Sequence, residues 1–67
     1  MILLGKFSTA NNNGYDCHYF PSQKKVEAVG PLPGRVGFRG IVFEPQASSE
    51  AEARQKIQDA IDSGELK

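Results

Sequence analysis

The chain reads as an α+β domain: a small antiparallel meander of three to four strands followed by one C-terminal helix packed on one face. Three observations predict it. A capping box and an apolar stripe at helical spacing occupy residues 49–64. Asn13-Gly14, a strong hairpin signal, separates two extended segments. Two prolines and two glycines in residues 30–34 then interrupt the chain before another extended segment.

The first segment, residues 2–9, is rich in apolar and β-favouring side chains. Regular alternation puts Leu3, Gly5, Phe7 and Thr9 on one face, and Ile2, Leu4, Lys6 and Ser8 on the other. The second strand, residues 15–20, alternates Tyr15, Cys17 and Tyr19 with Asp16, His18 and Phe20, and Pro21 ends it. A polar turn at residues 22–25 leads to a short third strand, residues 26–29. The fourth segment, residues 35–44, alternates Val36, Phe38, Gly40 and Val42 with Arg35, Gly37, Arg39, Ile41 and Phe43. Its glycines signal a bulge or a close backbone approach.

The helix, about residues 50–63, is the clearest element. Ser49 and Glu52 form the capping box, Ala53, Ile57, Ala60 and Ile61 the stripe, and Gly64 the left-handed stop. Glu50–Arg54 and Glu52–Lys56 are favourably ordered i,i+4 pairs. The expected core is Leu3, Phe7, Cys17, Tyr19, Val26, Ala28, Val36, Phe38, Val42, Ala53, Ile57 and Ile61. Residues 65–67 are expected to fray.

Sixty-seven residues predict one domain, residues 1–67, with a small core. The single cysteine excludes an intramolecular disulfide, and Cys17 with His18 cannot fill a four-ligand zinc site. An unpaired thiol fits a reducing compartment, so a cytoplasmic location is expected. The apolar run at residues 1–4 ends at Gly5-Lys6, too early for a signal-peptide core, and no run is of membrane-spanning length. Net charge is zero but unevenly placed. Residues 1–43 hold five basic and two acidic groups, net +3; residues 44–67 hold three basic and six acidic groups, net −3.

No residue pattern assembles catalytic chemistry. Adjacent strand residues point to opposite faces, so Cys17 and His18 cannot act as a nucleophile–base pair. The helix carboxylates read as partners of nearby cations. Residues 34–40 carry three glycines without the Lys-Ser/Thr of a phosphate loop. No catalytic residue, metal or cofactor is therefore expected, and the chain is not expected to be an enzyme.

One helix covers one face of a sheet. The other face is expected to present Lys6, His18, Phe20, Arg35, Arg39, Ile41 and Phe43, and these are the candidate binding residues. Apolar side chains rimmed by cations suit a protein partner or self-association through sheet face or edge. The alternative is nucleic acid, with Phe20 or Phe43 stacking on bases and Arg or Lys on phosphates. Overall neutrality favours the first. The expected function is that of a small interaction domain, an accessory or inhibitor such as phages and mobile elements carry.

Two motif orders resemble known families. Leu32-Pro33-Gly34 followed by Ser49-Glu50-Ala51-Glu52-Ala53 resembles antitoxins with a partial ribonuclease-H fold, in which a Leu-Pro-Gly turn precedes a short strand and a Thr/Ser-x-x-Glu-Ala helix. The resemblance covers residues 31–61, and residues 35–44 lengthen its spacing. A basic three-stranded sheet followed by one helix is similar to the arm-binding domains of phage-type integrases, whose strand residues enter the major groove. Lys6, Arg35 and Arg39 would take that part, although the helix here is acidic and tryptophan is absent. Neither resemblance assigns a family.

Overall fold

The computed structural model describes residues 1–67 as four antiparallel strands in the order β1-β2-β3-β4, followed by one helix. The strands are β1 (Ile2–Ser8), β2 (Gly14–Phe20), β3 (Lys25–Pro31) and β4 (Arg39–Phe43); the helix is α1 (Glu50–Asp62). The expected α+β meander is therefore present, with four strands. No helix is long and apolar enough to cross a membrane.

Helix α1 is set by the residues that predicted it. The Glu52 N–H donates to Ser49 Oγ at 3.1 Å. Glu52 Oε1 accepts from the Ser48 N–H at 2.7 Å, so the reciprocal half of the cap falls one residue earlier than in a standard capping box. Both i,i+4 ion pairs form, Glu50–Arg54 at 3.3 Å and Glu52–Lys56 at 4.0 Å. Gly64 adopts φ +84° just beyond the helix, where a left-handed residue ends it. The Leu66 N–H then reaches back to the Ala60 carbonyl at 3.0 Å.

That return contact corrects the expectation of a frayed tail. Leu66 is buried in the core, and the Lys67 main-chain oxygen accepts three hydrogen bonds from the β1–β2 loop. Thr9 Oγ1 donates at 2.8 Å, Asn11 Nδ2 at 3.0 Å and Asn13 Nδ2 at 2.8 Å. The asparagine run is thus a clasp as well as a turn.

Two bulges decide which side chains face the helix. In β1, Leu3 pairs with His18 and Gly5 with Cys17, so Leu4 is an extra residue. Gly5 takes φ +99°, open to glycine at no steric cost. The insertion turns Leu4 into the core and leaves Leu3 66% exposed, the reverse of the expectation from strict alternation. Arg54 Nη1 donates to the Leu4 carbonyl at 3.1 Å and ties the helix to the bulge. In β4, Ile41 pairs with Val29 and Phe43 with Ala28, so Val42 is the extra residue. Phe43 then lies on the same face as Ala28 and packs against the core. Its expected place on the open face is corrected.

The core lies between the inner sheet face and α1. It comprises Leu4, Tyr15, Cys17, Tyr19, Val26, Ala28, Ala47, Ala53, Ile57, Ala60 and Leu66, with Ile2, Phe7, Val42, Phe43 and Ile61 packed around it. Val36 and Phe38 do not belong to it, another correction. Gly30 has a packing role: a Cβ there would overlap the Tyr15 ring. Tyr19 satisfies its buried hydroxyl by donating to the Ala47 carbonyl at 3.0 Å. After β4 the chain stays beside β3, with the Val26 N–H on the Pro45 carbonyl at 2.8 Å and the Ala47 N–H on the Lys24 carbonyl at 3.0 Å.

The shortest extent of the molecule is 16 Å. That accommodates two layers about 10 Å apart and no third. The sheet face away from α1 is therefore uncovered. Ile57, 0% exposed, is the largest side chain that α1 buries fully. Ile57→Ala is expected to cost about 2–5 kcal/mol by urea denaturation, from lost transfer energy and the cavity left behind. A loss below roughly 0.5 kcal/mol, the range of surface substitutions, would contradict this packing.

Candidate interaction surface

The register places five of the seven expected residues together on the uncovered face. Lys6 pairs with Asp16, Asp16 with Val29 and Val29 with Ile41, which forms one row across all four strands. Leu3, His18 and Glu27 form a second row, and Phe20 with Lys25 a third. Arg39 lies opposite Pro31 at the next level. Phe43 is turned inward by the bulge, and Arg35 lies in the β3–β4 loop rather than in a strand.

Most cations of this face have partners. Arg39 Nη2 donates to Asp16 Oδ2 at 3.2 Å, to the Gly14 carbonyl at 3.1 Å and to the Val29 carbonyl at 3.2 Å. The reason is local. Extending the Asp16↔Val29 register by two residues sets Gly14 opposite Pro31, which has no N–H to donate. The guanidinium supplies the missing donor. Lys25 Nζ lies 3.0 Å from Glu27 Oε2 and 3.7 Å from Glu44 Oε2, and 5.5 Å from the Phe20 ring centroid. The hydrogen bond to Glu27, with the charges of Glu27 and Glu44, holds the Lys25 ammonium above its usual range. Lys6 stands opposite Asp16, with its aliphatic stem over Gly14.

Apolar exposure lies partly on this face, at Leu3 and Ile41, and partly beside it, in the loop at residues 32–38. Two consecutive turns build it. The Arg35 N–H donates to the Leu32 carbonyl and the Phe38 N–H to the Arg35 carbonyl, each at 3.2 Å. Gly34 (φ +71°) and Gly37 (φ +86°) occupy the third position of each turn, where type II geometry demands positive φ. Pro33 and Val36 occupy the second positions. A further bond from the Leu32 N–H to the Phe38 carbonyl, at 3.0 Å, closes the base. Val36 is consequently 99% exposed and Phe38 64%. Reading residues 35–38 as strand missed this display. The signal was present in two x-Gly pairs three residues apart, each at the centre of a four-residue turn.

Beneath the loop lies a cleft of about 410 Å³, lined by Tyr15, Pro31, Leu32, Pro33, Val42 and Leu66, with Asn13, Glu65 and Lys67 at its polar side. A smaller groove of about 270 Å³ runs between Phe43 and the end of α1, bounded by Lys56, Asp59, Ala60, Ser63 and Glu65. Arg35 and Glu65 are exposed, and neither takes part in a salt bridge or a side-chain hydrogen bond.

Cys17 points into the core while its neighbour His18 lies in a row of the open face. Burial, and secondarily the charge of Asp16, push the Cys17 thiol from 9.0 up to about 11. Its nucleophilic thiolate is thereby suppressed at neutral pH. No protein-family model, curated protein or solved structure matches the chain.

The thiol makes stability pH-dependent. Between about pH 9 and 11 the unfolded chain has released this proton and the folded chain retains it. Stability falls as pH rises wherever the folded state binds more protons. The wild type is therefore expected to lose stability through this window relative to Cys17→Ala, measured by denaturant unfolding at each pH. A constant difference between the two proteins would contradict it.

Proposed function

We propose that this chain is a small non-catalytic protein-interaction domain, of the accessory or inhibitor kind, that binds through its β3–β4 loop and the adjoining open sheet face. One observation carries the reading. Val36 and Phe38 are displayed to solvent on a loop held by three backbone hydrogen bonds and two positive-φ glycines. A fold with so little core gains nothing from exposing two large apolar side chains. A partner gains a preformed apolar contact at small ordering cost. Ile41, half-exposed on neighbouring β4, extends the apolar surface towards the sheet.

The charge distribution supports a protein partner over nucleic acid. Two cations of this surface are engaged, Arg39 with Asp16 and Lys25 with Glu27 and Glu44, which leaves only Lys6 and Arg35 without an ion pair to meet a phosphate. A nucleic-acid module usually carries a net basic surface, and this chain is neutral. The buried, suppressed Cys17 thiol fits a non-catalytic role in the cytoplasm.

The reading requires that the loop side chains serve binding rather than folding. Val36→Ser and Phe38→Ser are each expected to change unfolding free energy by less than about 0.5 kcal/mol in urea, as surface positions do. A loss above roughly 2 kcal/mol for either would mean that the side chain belongs to the core and would overturn the proposal.

A further inference from the structure

We infer that the partner seated on this loop is a second copy of the chain, with Phe38 of each copy entering the cleft of the other. The inference rests on the loop being an interaction surface. It adds the occupant.

Projection and receptor are both present on one molecule. The cleft of about 410 Å³ is lined by prolines, leucines, Tyr15 and Val42. A cavity of about 150 Å³ takes a benzene ring, so this cleft, open to solvent and polar along the side of Asn13, Glu65 and Lys67, has the volume to admit the Phe38 ring. Leu32 and Pro33 belong to both the loop and the cleft wall. Projection and receptor therefore adjoin, the arrangement in which a two-fold axis lets each enter the other and closes the assembly at two.

Charge points the same way. Arg35 opens the turn that displays Val36, and Glu65 is the one carboxylate side chain of the cleft, standing with Asn13 and Lys67 at its polar side. Both are exposed and unpaired within one chain. Phe38 of one copy in the cleft of the other carries Arg35 towards the partner's Glu65, and the symmetry makes that contact twice.

The test is light scattering behind size exclusion on the full chain, from micromolar to millimolar concentration. The wild type is expected to reach the dimer mass as concentration rises. Phe38→Ser is expected to stay monomeric, with native circular dichroism. Arg35→Glu, at an exposed turn position that leaves the core intact, is expected to weaken dimerisation about tenfold or more by setting like charges opposite. Combining it with Glu65→Arg is expected to restore the dimer. A wild type that stays monomeric at millimolar concentration overturns the inference, as does an Arg35→Glu variant that dimerises like the wild type. If the chain is monomeric while Phe38→Ser remains as stable as the wild type, the second copy is excluded and the loop still serves another protein. If Phe38→Ser unfolds the chain, the interaction reading itself fails.

Discussion

Everything in this fold depends on one helix covering one sheet face. Helix α1 has 13 residues and at about 1.5 Å per residue spans roughly 20 Å. Four strands about 4.8 Å apart present a face some 14 Å across. The match is good for one face, and nothing is left for the other. Ala53, Ile57 and Ala60 are all buried, and their small or branched side chains let the helix sit close against β1 and β3. The strand side chains must therefore be sorted into a dry set and a wet set, and the sorting decides what the protein shows to a partner.

The bulges perform much of that sorting. At Leu4 and Val42 one extra residue shifts the alternation, so that Leu4 and Phe43 turn inward. Without the β4 bulge, Phe43 would share the open face with Ile41. With it, Leu3 and Ile41 are the exposed apolar side chains left on the open face, and Val36 and Phe38 add to them from the loop at residues 32–38. The open sheet face keeps a self-compensating set of charges, in which Arg39 serves both Asp16 and the Gly14 carbonyl that Pro31 cannot satisfy. Core, face and loop are thus linked by two local departures from regular pleating.

This also explains what the sequence made legible. The helix was readable residue by residue, because its cap, stripe and stop are local and all agree. The meander was readable from Asn13-Gly14, Pro21 and the Pro-Gly segment. The side-chain set of β2 was readable because that central strand is regular. The edge strands were not, since a bulge is a pairing event between two segments and a one-residue slip reverses every later side chain. Five candidate residues, Lys6, His18, Phe20, Arg39 and Ile41, do share the open face. Arg35 and Phe43 do not, the first because the strand starts later than alternation suggested, the second because of Val42. The role of Leu66 was unreadable for a different cause: its burial depends on a clasp from Thr9, Asn11 and Asn13 far away in the chain.

The central claim is that the Val42 bulge turns Phe43 to the helix side, while the two turns of the β3–β4 loop hold Phe38 outside the core. Proton–proton contacts in a nuclear Overhauser spectrum of the folded chain test it directly. The Phe43 ring, which borders the same groove as Ala60, is expected to give cross-peaks to the Ala60 methyl and to Lys56. The Phe38 ring is expected to give none to Ile57, Val26 or Ala28. Cross-peaks from Phe43 to the side chains of His18 or Glu27, or from Phe38 to Ile57, would place the two aromatics the other way round and contradict the account.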